Sequence, residues 1–183
     1  RKAVMAKVVI DATGDGDLYS QAGAPCFEYE EMSPGGRGQN TALVWRMGGV
    51  DYELFARWYN DKDCKEAFRD AMSEAVGYRT FIMPSERNDV IWFNNFLPNR
   101  NCANIEDLKY TEFTVRNSIR KIIKFCKEYM PSTFRNAYLY DIAPQLGARC
   151  SRRLDGEYVM TSLDFAVNTK FDDVIAWHSL IAN

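Results

Sequence analysis

Apolar and polar residues recur along this chain with two different periods, and the changes of period divide it into elements. Val8, Val9 and Ile10 form a continuous apolar run, followed by Asp11, the small Ala12, Thr13-Gly14 and a second glycine at Gly16. Such a run predicts a buried parallel strand. The two glycines predict a tight turn, and Leu18, Ala22 and the stop signal Gly23 predict a short helix. Residues 26–30 alternate as in a half-exposed strand. Residues 33–38, with a proline and three glycines, predict a loop. Residues 41–47 form a strand pattern ended by Gly48-Gly49, and Asp51 is placed to cap a helix reaching Tyr59. Cys64, Phe68, Met72, Ala75 and Val76 form the apolar stripe of a second helix over 61–76, which Gly77 terminates.

The second half shows the longest periodic element. Strand patterns over 78–83 and 90–97 flank Pro84-Ser85-Glu86-Arg87-Asn88 and predict a hairpin with a longish loop. From 105 to 129, Ile105, Leu108, Val115, Ile119, Ile122, Cys126 and Tyr129 recur at three-to-four spacing, as in an amphipathic helix. Met130-Pro131-Ser132 stops it. Residues 138–143 predict a strand that Pro144 limits or places at an edge. A basic turn follows over 147–153, then a short strand over 157–161. Thr161 or Ser162 is placed to cap a turn of helix containing Asp164. One βα unit beside an antiparallel-rich remainder predicts an α+β fold. The first unit fits a nucleotide-binding sheet whose other strands are absent from this chain.

Composition narrows the function classes. A hydrophobic share of 46% and a charged share of 26% are those of an ordinary globular protein. The net charge of −2 gives no electrostatic reason to expect nucleic acid or an anionic membrane as partner. No apolar run approaches membrane-spanning length, and none has the pattern of a signal peptide. Cys26, Cys64, Cys102, Cys126 and Cys150 are odd in number and scattered without a C-x-x-C pair. That argues against a disulfide framework and a zinc site and for a reducing, cytoplasmic compartment. With His178 alone, no Cys/His metal cluster can be assembled, and no metal is expected. The chain opens at Arg1, reaches a buried-type strand within a few residues and ends at Asn183 without a terminator, as expected of a piece of a longer polypeptide.

The glycine turn at 13–17 is the first candidate site, because ligands of open α/β sheets sit at the carboxyl ends of strands, where such turns lie. Absent side chains at Gly14 and Gly16 allow a ligand or another backbone to approach closely. The turn fits neither G-x-G-x-x-G, since Leu18-Tyr19 stand where a third glycine belongs, nor a P-loop, since no Gly-Lys-Ser/Thr follows.

Three segments, in order along nearly the whole chain, resemble one family. Val8-Val9-Ile10-Asp11-Ala12-Thr13-Gly14-Asp15-Gly16-Asp17-Leu18, followed by Ala22-Gly23-Ala24-Pro25, is similar to the Ala-Thr-Gly segment of FAD-dependent oxidoreductases, flavoproteins of the glutathione-reductase and fumarate-reductase type. Gly147-Ala148-Arg149-Cys150-Ser151-Arg152-Arg153 and the following Gly156-Glu157-Tyr158-Val159-Met160-Thr161 resemble the pattern Gly-x-Arg-Glu-x-Arg-Arg, then Gly-x-Tyr-x-Leu-Thr. Phe171-Asp172-Asp173-Val174-Ile175-Ala176 is the third match, and Asn94-Asn95 and the helix bearing Arg116 fall in the expected order. Cys150 stands where the family usually has Glu. The resemblance implies the middle of a flavoprotein. Residues 1–24 would belong to the FAD-binding domain and 25–183 to a substrate-binding cap region. The G-x-G-x-x-G unit and the C-terminal glycine-rich segment are missing, so this piece alone is expected to hold FAD poorly and to be inactive.

The resemblance implies a hydride transfer between FAD and a small-molecule substrate. Thr13, Gly14, Asp15, Gly16 and Asp17 are the candidate cofactor residues, passing along the ADP half of FAD. The same glycines also suit a tight turn that binds nothing. Asp15 and Asp17 either reach a ribose or ribitol hydroxyl or favour the helix start through its dipole. Arg149 and Arg152 are the candidate contacts to a substrate carboxylate or to the flavin's electron-rich edge, because guanidinium grips carboxylate or phosphate in two-pronged fashion. The substrate would then be anionic. The other outcome for Arg149, Arg152 and Arg153 is ion pairing with nearby acids such as Asp155, Glu157 and Asp164. His178 is the candidate proton-transfer group, as the one imidazole titrating near neutrality. Trp45, Trp92 and Phe93 are candidate pocket walls, or core. Asn94 and Asn95 either orient a substrate or hold a strand end. Cys150 among arginines has the setting of a lowered thiol pKa. The rival reading is a non-catalytic α+β binding or structural domain without cofactor, and a weaker one is an NAD-binding protein.

Overall fold

A computed structural model describes residues 3–29, 31, 41–87 and 89–174. Two antiparallel sheets and six helices make up the described residues, an α+β arrangement as the sequence predicts. The elements in order are α1 (Asp17–Gln21), β1 (Cys26–Glu28), β2 (Thr41–Gly48), α2 (Tyr52–Asn60), α3 (Lys62–Val76), β3 (Thr80–Pro84), β4 (Val90–Leu97), α4 (Ile105–Tyr129), α5 (Pro131–Phe134), β5 (Tyr138–Ile142), β6 (Arg152–Leu154) and α6 (Ser162–Val167).

The larger sheet has the order β3-β4-β2-β5, all antiparallel. Alternation decides its two faces. On β2 and β4, Leu43, Trp45, Met47, Ile91, Phe93 and Leu97 point into the core, where Trp45 and Phe93 stack with ring centroids 4.2 Å apart. Phe55, Phe68, Met72, Val115, Ile119, Ile122 and Phe134 from the helices fill the other side of that core. Local signals place those helices. The Asp51 carboxylate accepts from Leu54 N, that of Asp61 from Cys64 N, and the Asn104 side chain from Glu106 N, each satisfying a free first-turn donor. Gly77 closes α3 at φ +91°.

The core holds one polar network. Asn95, fully buried, accepts from Trp45 Nε1 at 3.2 Å and donates through Nδ2 to the Tyr78 hydroxyl at 3.2 Å and to Ser118 Oγ at 3.4 Å. The Tyr78 and Ser118 hydroxyls are themselves hydrogen-bonded. Asn95 therefore links β2, α4 and the start of the hairpin, and is a core residue.

Several expectations are corrected. Val8–Ile10 is not a buried strand: Val8 is 78% and Ile10 84% exposed, and no strand lies beside them among the described residues. A parallel strand needs neighbours to take its backbone bonds, and without them the apolar run stays open. Residues 157–161 likewise form no strand. Of the expected strand over 26–30, Cys26–Glu28 pair as β1, Tyr29 is not in the strand, and residue 30 lies outside the described residues. On α4, Ile105 and Tyr129 are exposed while the middle of the stripe is buried. A helix of 25 residues runs about 38 Å, longer than an eight-residue strand of about 27 Å, so its ends overhang the sheet. Cys64 and Ala75 on α3 are also exposed. The expected loop over 33–38, Asn88, and Ile175, Ala176 and His178 lie outside the described residues.

Asn95→Ala should destabilise the fold by about 3 kcal/mol, because it strands the buried Trp45 N–H, removes the donor shared by the Tyr78 and Ser118 hydroxyls and leaves a cavity. The shift in urea midpoint checks this, and a shift equal to that of an exposed-site control would contradict the network's role.

Candidate functional site

The glycine corner is built from its own short side chains. Asp11 Oδ1 accepts from Thr13 N at 2.9 Å and from Thr13 Oγ1 at 2.7 Å, while Oδ2 accepts from Tyr19 N at 2.8 Å. Thr13 Oγ1 in turn accepts from Asp17 N at 2.9 Å, so one threonine hydroxyl joins the turn to the first donor of α1. The hydrogen bonds from Thr13 and Tyr19 backbone, with the Thr13 hydroxyl, hold the Asp11 carboxyl below its ordinary range.

Gly14 and Gly16 both have positive φ, +86° and +68°, but they differ in surroundings. Gly16 is buried, and a Cβ there would lie 2.0 Å from the Tyr19 ring. Gly14 is exposed, and a Cβ there would meet no atom within 4 Å. Gly16 is therefore glycine for the corner's own packing, whereas Gly14 leaves its backbone open, next to an exposed Thr13 whose N–H is turned to Asp11.

Residues more than a hundred positions later reach this corner. Ser151 N donates to Asp15 Oδ1 at 2.7 Å. Arg152 Nη1 donates to Asp17 Oδ1 at 2.8 Å and to the Asp15 carbonyl at 3.3 Å, and Arg152 Nε faces Glu28 at 3.8 Å. The hydrogen bond to Asp17, reinforced by Glu28, raises the Arg152 pKa further. Arg152 belongs to β6, which pairs antiparallel with β1 in the register Cys26↔Leu154, Phe27↔Arg153 and Glu28↔Arg152. The Arg153 guanidinium lies over the Phe27 ring at 5.3 Å.

The structure thus brings Asp15, Gly16 and Asp17 together with Arg152. Arg149 is exposed, with no ion pair among the described residues. The corner's acids, Asp15 and Asp17, face the protein. Cys150 departs from expectation: burial and the Asp15 charge raise its thiol pKa, opposed only by Arg153, so its setting is not that of a reactive thiolate. Trp45 and Phe93 are core, not pocket wall.

Trp92 lies on the opposite face of the large sheet, at a cleft of about 620 Å³ lined also by Arg46, Tyr52, Ser85 and Arg87. The Arg46 guanidinium sits between the Trp92 and Tyr140 rings, 4.9 and 4.8 Å from their centroids, and pairs with Asp141. Sequence reasoning missed Asp11, Tyr19, Ser151 and Arg46. An Asp two residues before a Thr at a turn is an Asx-turn signal. A lone arginine at an outward position of an apolar strand marks Arg46. Nothing local signals Ser151.

Asp11 gives a pH prediction. Its folded pKa is depressed, so its ties are intact above the ordinary aspartate value of about 4 and are lost as pH falls through the lower folded value. Protection of the Thr13 and Tyr19 amides, taken as exchange relative to the intrinsic rate at each pH, should fall several-fold across that acid range. In Asp11→Ala exchange should already be fast at neutral pH and show no acid step; an unchanged acid step would contradict the assignment.

Among the described residues no helix is long and apolar enough to cross a membrane, and no group of three or more His, Cys, Asp or Glu side chains is placed to hold a metal ion. No curated protein and no solved structure matches the chain. One family model, described as FAD dependent oxidoreductase, matches residues 1–181. With nearly its whole length matched, and with the two motif segments in contact through Arg152, the chain belongs to the FAD-dependent oxidoreductase family, whose cofactor is FAD.

Proposed function

We propose that this chain contributes to a hydride transfer between FAD and a small, anionic molecule, as part of a longer oxidoreductase. The observation that carries the reading is the open backbone at Gly14, beside the exposed Thr13, on a corner otherwise closed by its own hydrogen bonds. FAD, when bound, accepts or returns the hydride and passes electrons onward. Thr13 and Gly14 offer the approach for its dinucleotide portion. Gly16, Asp15 and Asp17 shape that approach from inside, through the Tyr19 ring, Ser151 and Arg152.

In this reading residues 1–24 go with the cofactor domain and 25–183 with the substrate-facing region. Arg149 is the guanidinium available to an anionic substrate, being exposed beside the corner's partner segment. Arg152 stands in the same segment with its donors directed at the corner. His178 supplies the proton-transfer group. Trp92, half-buried at the cleft with Arg46, is the one of the three proposed aromatic walls that has open space beside it.

The test uses the full-length protein. It should carry a flavin absorbance band that is released on denaturation. Gly14→Asn, a residue that tolerates positive φ best after glycine, should fold normally and retain less than about a tenth of the flavin, a loss equivalent to about 1.4 kcal/mol. A folded, colourless wild-type protein would instead support a binding or structural domain. Normal flavin content in Gly14→Asn would remove the corner from the cofactor's path.

A further inference from the structure

We propose that Arg152 is a positioning residue for the cofactor-facing corner: its guanidinium sets the order of residues 13–17, and through them the affinity for FAD. This deepens the reading above and rests on it.

Little else holds the two segments together. β1 and β6 form a ribbon of three residue pairs, a length that is marginal by itself in water. Arg152 ties that ribbon to α1 through Asp17 and to its own partner strand through Glu28. Its side chain is 19% exposed, against about half for each of the two carboxylates, so the guanidinium is the inner member of the cluster. Two acids neutralise it. Its donors are directed at protein oxygens, which leaves the exposed Arg149 and Arg153, rather than Arg152, to an outside anion.

The bond to the Asp15 carbonyl has a separate consequence. That carbonyl belongs to the peptide joining Asp15 to Gly16, and Gly16 holds φ +68°. Fixing this peptide plane fixes the left-handed step of the corner, two residues after the open Gly14 backbone. A ligand that runs along backbone gains from having it ordered beforehand, because the ordering cost no longer falls on binding. Nη1 serves both Asp17 and the Asp15 carbonyl while Nε faces Glu28, and lysine at 152, with one nitrogen, could not hold both positions at once. The Ser151 N–H bond to Asp15 is independent of the guanidinium, so the segments stay joined when Arg152 is changed.

The experiment compares Arg152→Gln, Arg152→Lys, Asp17→Asn and the Arg152→Gln/Asp17→Asn double variant in the full-length protein, with Lys121→Gln, at an exposed position of α4, as control. FAD is titrated into apoprotein by flavin fluorescence, and amide exchange is followed in the apoprotein. Arg152→Gln should weaken FAD binding by about tenfold, the loss of hydrogen bonds from a charged donor. It should also quicken exchange in residues 11–21 without spreading through the large sheet. Arg152→Lys should recover part of both effects. The double variant should be no worse than Arg152→Gln alone, and Lys121→Gln should change neither quantity. Wild-type FAD affinity in Arg152→Gln would overturn the proposal, whether or not exchange quickens. So would additive effects of the two substitutions. A wild-type protein that binds no FAD at all would instead overturn the function proposed above, and is recognised before any variant is measured.

Discussion

A single guanidinium joins the two ends of the described chain. Arg152 and Asp17 stand 135 positions apart, and their contact at 2.8 Å, with the Asp15 bonds beside it, is what makes the glycine corner and the arginine segment one site. Each bond is modest, because both carboxylates are half-exposed and screened by water. The cluster matters through geometry. It determines which surface of the corner faces inward, and so leaves Thr13 and Gly14 facing out.

The large sheet and its helices are built on different physics. Their stability comes from aromatic and aliphatic burial, with Trp45 stacked on Phe93 and Asn95 satisfying the polar groups that burial leaves. This half of the molecule is a scaffold. Its chemistry-bearing side chains are few and lie on the face away from the helices, where Arg46 is held between Trp92 and Tyr140. The corner carries few apolar contacts of its own and is ordered by short polar side chains. A cofactor that adds contacts there would meet the part of the fold with most order to gain.

Sequence periodicity was a sound guide wherever an element makes its own contacts. The 25-residue helix, the hairpin, the Asp51 and Asp61 caps and the Gly77 terminator were all legible, because spacing and capping chemistry act within a few residues. It misled at Val8–Ile10, where the pattern asks for neighbouring strands that the described residues do not contain, and at 157–161, where a similar run has none either. The site was legible in its residue types but not in its pairing. Local spacing cannot show that Asp15 turns to Ser151, nor that Arg152 reaches back to Asp17, because both depend on a chain reversal far away in sequence. For the same reason Cys150 seemed a lowered thiol among arginines, until Asp15 and burial entered its surroundings.

The central claim is that the open backbone at Gly14, beside the exposed Thr13, lies against FAD. Amide exchange of the full-length protein with and without bound FAD tests it directly. The account predicts that FAD slows exchange at Gly14, Asp15 and Gly16 more than at the buried strands β2 and β4, whose protection is already set by the core. Flavin binding that leaves the corner's exchange rates unchanged would contradict it.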